Sequence, residues 1–519
     1  MNRKYRIRSI PGLLLSVLFF ACRTTEKGFR PDRKYPVAVL QKDYRIFRHV
    51  LEAWHPSLYW YTPKDSMDRY FDNGYAAIRD SMTETQFRTI LSHVIAQVDC
   101  GHTSIRASKA YVHYLDTAKL RQFPLILKFW PDTMVMVASL DRRDSILKRG
   151  AQILSINGRT TRQLTDTLFP YIVTDGYDLT GKYQYLSTGL HFSSWYDAIY
   201  GFTDSFDISY VDTTGMIRET RIPIYDPRAD TLRRSLGRIL QPGTAQRGPG
   251  PAQRTRPPHK RSRRSRRKAE LLFSRNLVLD TATHTAYLTL NTFENGFHLR
   301  GFFRHSFRQF SDRHIQNLVI DVRSNGGGEA TLSTLLTRYL IDKKFKLADS
   351  LYAIRRHSRY DRYINNGLAY RLLTRIATRR EKDGFYHYGH FERHYFSPRK
   401  KNHFDGKVYI LTGGNSFSAT CLFAGALKGQ SNVTLVGEET GGCYYGNTAW
   451  MIPDVTLPGT RVRFRLPRFR LVIDRNRIKD GHGVMPDISA FPSVEAIGKG
   501  QDYKSARVKE LIGQDAARK

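Results

Sequence analysis

The chain has 519 residues, 40% of them hydrophobic and 12% aromatic, which is more than one core fills, so two or three folded domains are expected and a wholly disordered chain is excluded. Lys and Arg number 83 against 47 Asp and Glu, a formal charge of +36. The excess is spread in clusters such as Arg355-Arg356, Arg379-Arg380 and Arg399-Lys400-Lys401, with no recognisable nucleic-acid fold around them. Attraction to anionic lipid or polysaccharide is therefore expected, and specific nucleic-acid binding is not. The four cysteines, Cys22, Cys100, Cys421 and Cys443, are too few for a dense disulfide framework, and the sequence does not say whether any of the last three are bridged.

At the amino terminus Arg3, Lys4, Arg6 and Arg8 precede a short apolar run over residues 13–20, then Ala21 and Cys22. Basic region, apolar region and small residue come in the order of a secretory signal. The run is too short to span a bilayer, which needs about 20 residues. The Phe19-Phe20-Ala21-Cys22 junction resembles a relaxed bacterial lipoprotein box. That implies removal of residues 1–21 and acylation of Cys22; an ordinary cleaved signal is the plainer reading. The expected location is exported, in the periplasm or at the outer membrane, lipid-anchored at Cys22.

Residues 36–115 read as a mainly helical domain. Thr83 and Gln86 make a capping box, and Phe87, Ile90, Leu91, Val94, Ile95 and Val98 recur at helical spacing up to a glycine stop at Gly101. His102 thus falls just past a helix end. Residues 120–225 read as a β domain, with strand-like runs at 125–129, 134–137, 206–211 and 217–222 and a helix over 161–168. Its segment 150–158, Gly-Ala-Gln-Ile-Leu-Ser-Ile-Asn-Gly, resembles the centre of a PDZ domain, although the usual ligand-loop glycines are absent and an aromatic-rich insertion interrupts it from Val173 to Asp207. Peptide-tail binding and a purely structural role are both open for it. Residues 241–268, rich in Pro, Gly, Arg and Ser, predict a disordered basic loop suited to anionic lipid or polysaccharide. Strand-helix alternation then fills 271–495, and 496–519 reads as a basic tail.

Two stretches of that last region carry the chemistry. Leu318 through Gly328 reads as a buried β-branched strand running into three glycines, and Val408 through Thr420 reads as a second strand, a glycine turn and Ser416-Phe417-Ser418-Ala419-Thr420 opening a helix. Active sites of α/β proteins lie at such strand ends. Consecutive glycines free backbone N–H groups to face an oxyanion, and a serine at a helix start has its hydroxyl near a positive dipole end.

At these residues the chain resembles the C-terminal-processing (tail-specific) serine protease family, and more closely its tricorn-like branch. The resemblance spans roughly residues 36–490 through Asp99-Cys100-Gly101-His102-Thr103, the PDZ-like 150–158, the 321–328 run, the 416–442 segment and Gly483-Val484-Met485-Pro486-Asp487. It implies a mixed α/β multidomain fold: an N-terminal helical domain, a PDZ-like β domain and a serine protease core of the ClpP/crotonase-like type.

The resemblance implies Ser418 as nucleophile, with Ser416 the supporting hydroxyl; a plain N-cap is the bland alternative for Ser418. The lysine that many relatives use as base is replaced by Cys443, which leaves His102 as the base, with His482 its competitor. The branch's serine before the histidine is Gly101 here, and its downstream glutamate is Asp480. Asp480, or Thr103, is therefore expected to orient His102. Oxyanion donors are expected at Gly326 or Gly327 and at Ala419, with Asp321, Arg323 and Asn325 holding the glycine turn. Nothing resembles a metal cage or a phosphate loop, so no metal and no cofactor is expected. The function implied is an exported serine endopeptidase for peptides or unfolded polypeptides; a catalytically inactive ligand-binding lipoprotein on the same fold is the alternative.

Overall fold

The computed structural model describes residues 29–141, 144, 146–212, 214–230 and 263–517. The expected signal and lipid site at Cys22, and the basic stretch 241–262, lie outside the described residues.

The amino-terminal domain is helical, as its periodicity predicts. Val37–Trp54, Lys64–Ala76 and Glu84–Ala96 pack through Leu40, Phe47, Leu51, Phe71, Phe87, Leu91 and Val94. The Thr83–Gln86 capping box is formed in both directions. Past the last of these helices the chain passes His102 and adds the two-residue strand Ile105–Arg106 to Arg463–Arg465 of the distant core. That pairing fixes the histidine segment against the carboxyl-terminal half.

The β domain follows the expected runs, with strands Leu125–Trp130, Thr133–Ser139, Gln152–Ile156, Ser205–Val211 and Ile217–Pro223 neighbouring in that order and a helix at Thr161–Leu168. The insertion contributes two further helices, Leu179–Leu186 and His191–Tyr200. They cover the outer edge of Leu125–Trp130. The Phe123 and Phe129 N–H groups donate to Ser193 Oγ and Ser187 Oγ at 3.0 and 2.8 Å, and Lys128 Nζ reaches Gln184 Oε1 at 2.8 Å. Two N–H groups of this edge are thereby taken and are not free to pair with a peptide strand.

The core sheet has six strands in the order Arg275–Asp280, Thr285–Leu290, Asn317–Asp321, Lys407–Thr412, Val433–Gly437 and Ile488–Ser489, antiparallel at the first pair and parallel thereafter. Alternate side chains serve two layers, as period-2 geometry requires. Leu318 and Ile320 join Phe303, Leu336 and Phe423 on one face, while Val319 joins Tyr409, Val436, Val508 and Ile512 on the other. Burial on both faces is why these strands read as unbroken apolar runs. Asp321 is paired with Leu411, so the glycine turn and the serine turn leave the sheet side by side.

Two expected boundaries are corrected. Residues 263–268, assigned to the disordered loop, begin the helix Arg263–Ser274; beyond the prolines, Arg, Lys, Ala, Glu and Leu are all good helix formers. The expected basic tail is a packed helix, Tyr503–Ala517, with Val508 and Ile512 buried. Asp502 ion-pairs with Arg323, whose guanidinium also holds Asp321 at 2.8 Å, and Lys504 Nζ lies 2.6 Å from Glu438 Oε2 and donates to the Thr412 carbonyl at 2.7 Å. The sequence reading followed the charge of this segment, but Lys504 is buried against an acid of the core.

Candidate active site

Ser418 occupies the turn between strand Lys407–Thr412 and helix Ala419–Leu427 with φ 56° and ψ −118°. Positive φ is unfavourable for a residue with a Cβ, and such conformers persist only where the surroundings impose them. The bland N-cap reading does not hold, because the Ser418 side chain makes no capping hydrogen bond. Its Oγ lies instead 2.9 Å from His102 Nε2. The surroundings impose the turn through Ser416, which is fully buried, accepts from Gly413 N at 3.2 Å and donates to the Val322 carbonyl at 2.9 Å. Asn325 adds its carbonyl, which accepts from Phe417 N at 3.1 Å and Thr420 Oγ1 at 3.0 Å. Ser416 and Asn325 thus brace the turn that carries Ser418.

His102 is buried, its ring packed on Phe417 at 4.5 Å between centroids. The same phenyl ring crowds Gly101: a Cβ there would lie 2.8 Å from the ring edge, so a serine would require Phe417 to shift. Beyond the histidine the expected arrangement is corrected. Asp480 is exposed and accepts from its own turn at His482 N, 2.9 Å away. Thr103 is turned away, donating to Cys100 Sγ at 3.2 Å and lying 2.9 Å from His55 Nε2. The carboxylate beside His102 Nδ1 is Asp175, at 3.8 Å and equally buried. Asp175 Oδ1 accepts from Gly101 N at 2.7 Å, while Asp175 Oδ2 and His102 Nδ1 have no hydrogen-bond partner among the described residues.

Asp175 comes from the β-domain insertion, where sequence reasoning saw only an interruption. Its one signal was the Asp175-Gly176 pair. Gly176 N donates to the Asp99 carbonyl at 2.9 Å, and Tyr177 N donates to the Gly481 carbonyl at 2.9 Å. A Cβ at Gly176 would stand 2.3 Å from that carbonyl oxygen, so the loop can dock only with glycine there. His482, the competing base, lies with Nδ1 3.1 Å from Glu439 Oε1 and is half-exposed.

Of the expected oxyanion donors, Gly327 is committed elsewhere, its N–H donating to Asn325 Oδ1 at 2.9 Å. It serves by being small. At φ 98° a Cβ on Gly327 would fall 2.8 Å from Ser418 Cβ and 3.0 Å from Ala419 N. A Cβ on Gly326 would meet open space, and the residue is exposed. Cys443, where relatives carry lysine, is buried beside Tyr61 Oη at 3.2 Å, and burial pushes its thiol well above the ordinary range. Cys100, Cys421 and Cys443 are all free thiols.

The donor atoms of Cys100, His102 and Asp175 lie within 4.8 Å of one another. Burial pushes the Cys100 thiol up to about 12, and His102 already presents Nε2 to the serine.

Residues 284–490 match the family model described as Peptidase family S41. No curated protein matches the sequence. Among solved structures the chain is similar to mature CPAF complexed with lactacystin (14% identity, TM-score 0.60, covering 92% of this chain and 98% of that one) and to mature CPAF alone (15%, 0.58, 92% and 96%). At these identities the likeness is one of fold.

Proposed function

We propose, from the match of residues 284–490 to the Peptidase family S41 model, that this protein is a serine endopeptidase of peptides or unfolded polypeptides in which Ser418 is the nucleophile, His102 the base and Asp175 the group that orients the base. The observation that carries this reading is the Ser418 Oγ to His102 Nε2 distance of 2.9 Å on a turn held at positive φ.

A serine hydroxyl needs a base to attack at neutral pH. His102 Nε2 takes the Oγ proton as Oγ bonds to the substrate carbonyl carbon, and the negative oxygen that forms is met by the N–H of Ala419 and that of Gly326. The imidazolium then gives its proton to the leaving amine as the C–N bond breaks, leaving an acyl-Ser418 ester. Water, deprotonated by the same Nε2, hydrolyses the ester. Asp175 favours the tautomer with hydrogen on Nδ1 and stabilises the imidazolium in each half. Losing one oxyanion donor from such a site costs about a hundredfold to a thousandfold in rate.

The sequence of the first 22 residues supports export and lipid attachment at Cys22, which this reading includes. The capped edge of the β domain favours a structural role for that domain: it delivers Asp175. Single-turnover acylation by an activated peptide ester, compared among wild type, Ser418→Ala and His102→Ala, tests the proposal; any acylation of Ser418→Ala at the site, or a near-wild-type rate in His102→Ala, would contradict it.

A further inference from the structure

The helix Gly367–Ala377 carries its apolar face outward. Leu368, Leu372, Leu373 and Ile376 are 80, 59, 51 and 74% exposed, and Thr374 is the buried residue of the helix. Thr374 is two positions from both Leu372 and Ile376, about 200° around the helical wheel, so the apolar arc lies opposite the side that meets the protein. Orientation is fixed by a few contacts: Thr374 Oγ1 lies 3.7 Å from Met451 Sδ, and Arg356 Nε donates to Thr378 Oγ1 at 3.1 Å just past the helix end.

Charge is arranged to match. Residues 367–380 contain Arg371, Arg375, Arg379 and Arg380, all exposed, and no acidic residue. Of the acids that follow, Asp383 is turned to His387 Nε2 at 2.9 Å. Single exposed leucines are ordinary on a protein surface, whereas three leucines and an isoleucine on one arc of an 11-residue helix are not. An apolar arc flanked by arginines that can reach phosphate while their stems lie along hydrocarbon is the pattern of a helix lying in a bilayer interface.

We propose that Gly367–Ala377 is a membrane-docking helix that lays Leu368, Leu372, Leu373 and Ile376 into an anionic lipid surface. Such a helix would bring the folded core itself, and not only the amino terminus, to the lipid surface. The inference stands apart from the peptidase reading.

The test uses the full chain carrying Cys22→Ala, so that no lipid is attached, sedimented with phosphatidylcholine vesicles with and without phosphatidylglycerol. The parent should partition onto the anionic vesicles. Leu372→Gln/Ile376→Gln should lose about tenfold or more of that partitioning with an unchanged melting temperature, and Arg371→Gln/Arg375→Gln should lose the preference for anionic lipid. Equal partitioning of all three proteins would overturn the proposal. So would light scattering showing a dimer that the Leu372→Gln/Ile376→Gln variant splits, or a raised KM for peptide in that variant without vesicles, which would assign the face to a second copy or to substrate.

Discussion

His102 and Asp175 come from different domains, 73 residues apart in sequence, and meet with Nδ1 3.8 Å from Oδ1 in a site where both side chains are only 3% exposed. The distance is longer than a hydrogen bond and short enough for a small closure to make one. Catalytic hydrogen bonds commonly tighten only in the substrate complex. Asp175→Asn should therefore lower kcat by about a hundredfold to ten-thousandfold with little change in KM, since it withdraws a charge that matters most when the imidazolium forms. Asp480→Asn should leave kcat within about twofold, the range expected for a surface change away from the site. Steady-state hydrolysis of one peptide by both variants checks this.

Adjacent glycines should behave differently. Gly326→Ala adds a methyl group into open space, whereas Gly327→Ala drives one into Ser418 Cβ and Ala419 N at a positive φ. The expected result is a folded Gly326→Ala protein with near-normal stability, and a Gly327→Ala protein whose acylation rate falls at least about a hundredfold from displacement of the nucleophile. Comparing melting temperature with acylation rate separates the two.

Truncation after Gln501 should be severe. It strips Glu438 of Lys504, leaves Arg323 with Asp321 alone, and uncovers the apolar face under Val508 and Ile512; removing one member of a buried ion pair costs up to about 3–5 kcal/mol. Denaturant unfolding should show a midpoint well below that of the full chain. An unchanged midpoint would mean that residues 502–519 are the dispensable basic tail suggested by their composition.

Stability should also carry the signature of His55. In its buried site Nδ1 accepts from Ser57 N at 3.3 Å, so a proton there would oppose an N–H, and burial lowers the imidazole pKa to about 3. The unfolded chain binds this proton near pH 6.5. Below that pH the unfolded state holds more protons than the folded one, so stability is full above about 6.5 and falls as the pH drops toward 3. His55→Gln should flatten that part of the profile, read as the melting-temperature difference between pH 7.5 and pH 5.

Much of this was legible in sequence because it is local. The capping box at Thr83, the Thr161–Leu168 helix and the 318–321 strand are written in periodicity and in residues three apart. Ser418 and His102 were proposed from motifs 316 residues apart, and the fold brings the two side chains to 2.9 Å. Asp175 was not legible, since nothing in its neighbourhood signals that Gly176 docks against Gly481, and a contact across 305 residues leaves no local trace. The Gly327 donor was misassigned for a related reason: sequence shows that a glycine can turn, but not that Asn325 Oδ1 claims its N–H. Charge misled at the carboxyl terminus, where Lys504 is buried against Glu438.

The central claim is that Ser418 forms the acyl-enzyme. Labelling the purified protein with a fluorophosphonate and locating the adduct by mass spectrometry tests it most directly. The adduct should lie on Ser418, be abolished by Ser418→Ala, persist in Ser416→Ala to a measurable extent, and fall by several orders of magnitude in rate in His102→Ala. An adduct on another serine, or unchanged labelling in His102→Ala, would contradict the account.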